Sequence, residues 1–279
     1  KNVVYSLVAG DEPGSIKEIY DFADALGFDI FAIGKGKNNP LDRTATPDLL
    51  AEQAKKKQMS AKMLCSFVDG TKTMVEMTSI GNGTGFAPEV RGAYGPVVDV
   101  KDLPKVFAPK SGGGIFNEEH VVDYAIGPAP GVFVIITTDQ PKIIKDLNYL
   151  GLSGHGNYWS LYRPYHLANL EAPITIANVV LHQNATLDMP LIPVAETVAT
   201  AKKDLKPGDA IDYLGGYTVY GLIEKASIVR EQNLVPLGIA IGGVIQKPVK
   251  IGEPISYDDI ELREDDLIVK FRRAQDEMV

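Results

Sequence analysis

Apolar positions alternate between helical and extended spacing through the first two thirds of the chain, then break into short β-rich runs separated by turns. Lys1-Asn2-Val3-Val4-Tyr5-Ser6-Leu7-Val8 reads as a buried strand already under way, so the chain is expected to be part of a longer protein. Ile16, Ile19, Tyr20, Ala23 and Leu26 recur at helical spacing behind a cap at Asp11 or Ser15, and Gly27 stops that helix. A strand over residues 29–33 follows and runs into a polar loop over 34–43 containing Gly34-Lys35-Gly36-Lys37-Asn38-Asn39. Residues 47–58 read as a surface helix with Thr46 as cap and Pro47 at its first position.

The stretch over 63–85 starts apolar, turns at Asp69-Gly70 and continues with helical character. Asp69, Lys72, Thr73 and Glu76 then fall at i, i+3, i+4 and i+7 on one face, opposite Met74, Val75 and Met77. Two Val- and Ile-rich runs, 121–126 and 131–138, flank a Gly-Pro-Ala-Pro-Gly turn and read as neighbouring strands. Helices are expected over 141–150 and about 171–181, with a linker over 184–193. Beyond it, 194–201, 237–245 and 249–254 read as strands, with one helix near 220–231. This composition change places a boundary near residue 190, giving a first domain over 1–190 and a small β domain with a tail over 191–279. The fold class is α+β. Gly215-Gly216 and Gly242-Gly243 lie outside any strand-to-helix GxGxxG context and read as turns.

Composition narrows the function. A formal charge of -8 without a basic stripe argues against nucleic acid. No apolar run reaches membrane-spanning length, and one cysteine, Cys65, offers neither a disulfide framework nor a CxxC pair, so a reducing cytoplasm is expected. The four histidines are too dispersed for an i,i+4 ligand pair, and no metal is expected. Lys35, Lys37, Asn38 and Asn39 offer ammonium and amide groups to an anion, although an ordinary polar loop accounts for them equally well. Arg163, in the aromatic segment 154–167, is suited to clamp a carboxylate or phosphate, although that segment suits an interface between domains or subunits equally well. Lys72, with Asp69 and Glu76 beside it, is the candidate for proton transfer at a carbonyl. The competing reading is a solvated face whose Lys72–Glu76 pair contributes a few tenths of a kcal/mol.

GDEPGSIKEIYDFADALGFDIFAIGKGKNNPLD, MLCSFVDGTKTMVEM, VVDYAIGPAPGVFV, YWSLYRPYHL and GGYTVYGLIE, in this order, resemble the homoserine dehydrogenase-like oxidoreductases that carry a SAF domain. Within that group the resemblance is to the deoxyxylulose phosphate reductoisomerase-like (DRL) branch of isoprenoid biosynthesis. It implies a catalytic α/β-sandwich domain, a terminal β-clip SAF domain, and NAD or NADP bound mainly by a Rossmann domain absent from this chain. The isolated chain is therefore expected to be inactive. The substrate class implied is a small polar carbonyl or hydroxy compound, with or without phosphate, and a homo-oligomer is expected. A sugar-acid dehydratase or lyase, and a non-enzymatic anion-binding or assembly module, remain the alternatives.

Overall fold

The computed structural model describes residues 3–38 and 41–278. In chain order the first elements are α1 (Glu12–Ala25), β1 (Asp29–Lys37), α2 (Ala51–Lys56), α3 (Ala61–Val68), α4 (Thr71–Thr84) and α5 (Leu103–Val106). They are followed by β2 (Val121–Ile126), β3 (Val132–Thr137), α6 (Pro141–Tyr149), β4 (Gly154–His155), β5 (Tyr158–Arg163) and α7 (Ala168–His182). The remainder comprises β6 (Ala195–Ala201), β7 (Val219–Lys225), α8 (Ala226–Glu231), α9 (Leu237–Ala240), β8 (Val244–Ile245), β9 (Ile260–Glu261) and α10 (Leu267–Asp276). Helices and strands are mixed in several sheets, an α+β fold. Two compact units result, one from Lys1–Asn38 with Ser79–Pro190, the other from Asn39–Thr78 with Leu191–Val279. The second unit thus shares the sequence break near 190 and also takes in 39–78, a stretch that the pattern alone had grouped with the first domain.

The first unit is built on a five-stranded sheet of order β2-β1-β3-β5-β4. β1 is parallel to β2 and antiparallel to β3, so the two runs expected to be neighbours are separated by one strand. The Pro-Ala-Pro turn between them crosses the end of β1, where the amide of Gly36 donates to the carbonyl of Gly131 at 2.8 Å. One core forms around Phe31, Leu103, Phe107, Phe116 and Phe133, with the Phe107 and Phe133 rings edge-on at 4.7 Å. Helix α1 packs against β1, β3 and β5. The strand expected at the start is not formed: Lys1 and Asn2 lie outside the described residues, and 3–8 run as irregular chain with Val3 and Tyr5 exposed. Side-chain hydroxyls tie this segment down in place of a ladder, Ala9 N–H donating to Thr175 Oγ1 and Thr186 N–H to Ser6 Oγ.

The second unit contains the antiparallel β6–β7 ribbon and the short β8–β9 pair. Single-residue pairings such as Thr200 with Pro254 and Leu205 with Val249 extend them, around a core that includes Val235, Ile245, Ile255 and Val269. The helix expected over 220–231 is a strand to Lys225 and a helix only from Ala226, because Val219, Tyr220, Leu222 and Ile223 are buried in the ribbon. Residues 237–240 are helical rather than extended, and the expected tail contains α10, anchored by Val269. No helix among the described residues is long and apolar enough to cross a membrane.

Candidate functional site

β1 extends four residues beyond its expected end, so Lys35 and Lys37 lie within a strand rather than a loop. Alternation along the strand explains the Gly-Lys-Gly-Lys sequence. A Cβ on Gly34 would strike the Phe133 ring and the carbonyl of Asp123, and one on Gly36 would strike the backbone of Ala129. That face admits no side chain. The lysines, two residues apart, share the opposite face, and both are buried.

Opposite Lys35 lies the start of α1. Asp11 occupies the N-cap position, Pro13 lies in the first turn, and Ser15 N–H closes the turn on the Asp11 carbonyl at 2.8 Å. Glu12, in that first turn, faces β1. Lys35 Nζ donates to Glu12 Oε1 at 2.6 Å, with the lysine 4% and the glutamate 6% exposed. Burial holds the Lys35 ammonium below the usual lysine range, and the charges of Glu12 and Asp11 counter only part of this. The His166 imidazole also approaches the same Glu12 oxygen, with Nε2 at 3.6 Å.

Other candidates occupy different surroundings. Arg163, at the end of β5, donates to Glu18 of α1 at 2.6 Å and to Glu171 of α7 at 2.5 Å, so its guanidinium joins three elements of the first unit. Asn38 is exposed just beyond β1. Asn39 lies outside the described residues. In the second unit the expected Asp69-to-Glu76 face is interrupted, because Asp69 ends α3 and Gly70, at φ +89°, turns the chain before α4 begins. Lys72 and Glu76 form an ion pair within α4, with Glu76 buried and Lys72 about one third exposed. Asp69 is drawn elsewhere: Oδ1 accepts from Thr71 N–H at 2.9 Å and Oδ2 from Lys202 Nζ at 2.7 Å. The same ammonium donates to the carbonyls of Ala45 at 2.9 Å and Gly216 at 3.0 Å.

Two side chains acquire roles that their sequence context did not display. Glu12 sits inside a turn-like Gly-Asp-Glu-Pro-Gly run and looks like helix capping. Lys202 belongs to a Lys-Lys pair at a strand end, with nothing local to mark it as buried. By contrast, Asp123 within Val-Val-Asp-Tyr-Ala-Ile was a visible signal, an acid in an apolar strand. Its carboxylate accepts from the backbone N–H groups of Tyr94, Gly95 and Tyr124, and burial pushes its pKa up to about 6.

The family model described as Oxidoreductase DRL, catalytic domain, matches residues 10–172, more than half of the chain. The chain belongs to the DRL oxidoreductase family. The DRL match spans the Glu12–Lys35 pair, His166 and the Lys72–Glu76 pair, and it makes this an oxidoreductase catalytic domain. No curated protein matches the chain.

Proposed function

We propose that this DRL domain reduces a small polar carbonyl compound, or oxidises the corresponding alcohol, with NAD or NADP as co-substrate and with Lys35 as the proton carrier. The observation that carries the reading is a buried ammonium whose pKa is lowered by burial and whose position is fixed by a buried carboxylate. Reduction leaves negative charge on the carbonyl oxygen, and a positioned ammonium stabilises that charge and then supplies the proton. In the oxidative direction the neutral amine accepts it. Lys37, buried on the same strand face, adds positive charge suited to an anionic group on the substrate, with or without phosphate.

The nicotinamide supplies or accepts the hydride. Among the described residues the two Gly-Gly pairs do not frame a cradle for its pyrophosphate. Gly215 stands against the carbonyl of Lys62 and Gly243 against Ile260, both positions filled by the chain itself. In this reading the dinucleotide is held by a separate Rossmann domain. In the same reading the first unit is homoserine dehydrogenase-like, residues 191–279 are a SAF-type β-clip, and the enzyme is a cytoplasmic homo-oligomer.

A second proton donor, Lys72, is favoured by one observation: its partner Glu76 is buried although Lys72 reaches the surface. Substituting each lysine by Met in the protein that joins this chain to its nicotinamide-binding domain separates the two, with Lys55→Met as a surface control. Lys35→Met is expected to lower kcat about a hundredfold or more with folding intact. If Lys72→Met has that effect and Lys35→Met behaves like the control, the assignment passes to Lys72.

A further inference from the structure

His166 follows β5, and its ring is held in one orientation. Nδ1 lies 2.8 Å from the carbonyl oxygen of Pro130. A carbonyl only accepts, so Nδ1 carries the hydrogen. Nε2 is thereby turned toward Glu12 Oε1, the oxygen that also receives Lys35. The separation of 3.6 Å is an ion-pair distance and longer than a hydrogen bond, so a proton passes between them only when the two side chains move closer. Lys35 and Glu12 are nearly sealed from water, whereas the His166 side chain is about a quarter exposed. Of these three side chains, the histidine is the one in contact with solvent.

We propose that His166 and Glu12 form a proton relay that recharges Lys35 after each reduction. This rests on Lys35 being the proton donor. Once Lys35 has protonated the substrate oxygen it is a neutral amine. The His166 imidazolium then releases its Nε2 proton to Glu12, and Glu12 passes a proton to Lys35 Nζ. The ammonium and the carboxylate are restored, and the imidazole is left neutral with its hydrogen on Nδ1. Hydronium or a buffer acid in the solvent returns a proton to Nε2, so each cycle takes up one net proton from solution, the proton that reduction of the carbonyl consumes. Oxidation of the alcohol runs the relay in reverse. Neither Glu12 nor His166 touches substrate in this scheme; both are positioning and relay residues. A histidine that merely braced the Pro130 turn would share the Nδ1 contact but would have no influence on proton supply.

Two readouts test the relay. Nitrogen-15 NMR of the histidine rings in this chain is expected to find neutral His166 with its hydrogen on Nδ1. Assignment comes from substituting the other three histidines, so the result does not depend on a His166 variant folding. Hydrogen on Nε2 overturns the proposal. In the protein joined to its nicotinamide-binding domain, His166→Gln is expected to lower kcat about tenfold or more, leave KM within about twofold, and recover when imidazole is added. An undiminished kcat, or a loss that imidazole does not restore, overturns the relay while an inactive Lys35→Met keeps the Lys35 reading in place. An active Lys35→Met removes that reading itself.

Discussion

Lys35 and Lys202 are both buried ammonium groups paired with buried carboxylates, yet their surroundings differ in kind. Lys202 directs its hydrogens to Asp69 and to the carbonyls of Ala45 and Gly216, all within the second unit, and joins four segments of it. Its network is closed. The carboxylate beside Lys35 has a second neighbour, a histidine whose side chain is about a quarter exposed. Burial of a charge is thus a poor marker of a site by itself. What separates a clamp from a candidate proton donor is whether the partner group connects to something that exchanges with water.

Breaking the clamp produces the largest effect. Lys202→Met leaves Asp69 buried without its counter-charge and is expected to destabilise the protein by about 3–5 kcal/mol, read as a shift in the urea midpoint. A loss below about 1 kcal/mol would mean that water or a rearranged loop replaces the ammonium. Replacing Asp69 by Leu together with Lys202→Met is expected to recover part of the loss, since no charge is then left unpaired.

Asp123 gives the next effect, through pH. Its pKa rises from 3.8 to about 6 in the folded protein, so between those values the native state binds more protons than the unfolded chain and stability falls as pH increases. The decline is on the order of 3 kcal/mol across that window and ends above about pH 6. Asp123→Asn is expected to remove this component from the pH dependence of the denaturation midpoint. An unchanged profile would show that the carboxyl titrates alike in both states.

Gly36→Ala tests the strand geometry beneath Lys35. The added methyl group meets the backbone of Ala129, a neighbour that cannot swing aside as a side chain can. Overpacking of this kind costs about 1–3 kcal/mol, measurable by thermal unfolding. Full stability in Gly36→Ala would contradict the close crossing of the Pro-Ala-Pro turn over β1.

The sequence pattern located α1 and α6 closely because each is amphipathic and has a recognisable start, whereas α7 begins three residues before its expected start, without a side-chain cap. It failed where polarity and exposure parted company. Gly34-Lys35-Gly36-Lys37 has the composition of a loop, but its glycines allow close packing on one face while its ammonium groups are buried on the other. The runs at β2 and β3 were recognised as strands, yet chain adjacency did not predict that β1 would lie between them. Among the candidate residues, Lys72 and Glu76 did pair as their i,i+4 spacing required. The link from Glu12 to Lys35 crosses 23 positions and that from Asp69 to Lys202 crosses 133, separations over which periodicity carries no information.

The titration of Lys35 itself tests the account most directly. Carbon-13 reductive methylation makes each lysine visible by NMR across pH, and Lys35→Met identifies its resonance. The Lys35 amine is expected to titrate below the ordinary lysine value of 10.5 and to shift further down in Glu12→Gln, because the Glu12 charge favours the protonated form. Over the interval between its folded pKa and 10.5 the unfolded chain binds the extra proton, so this group makes stability rise with pH, and Lys35→Met is expected to lose that rise. A Lys35 that titrates at or above 10.5 and ignores Glu12→Gln would contradict the claim that this strand holds a proton poised for transfer.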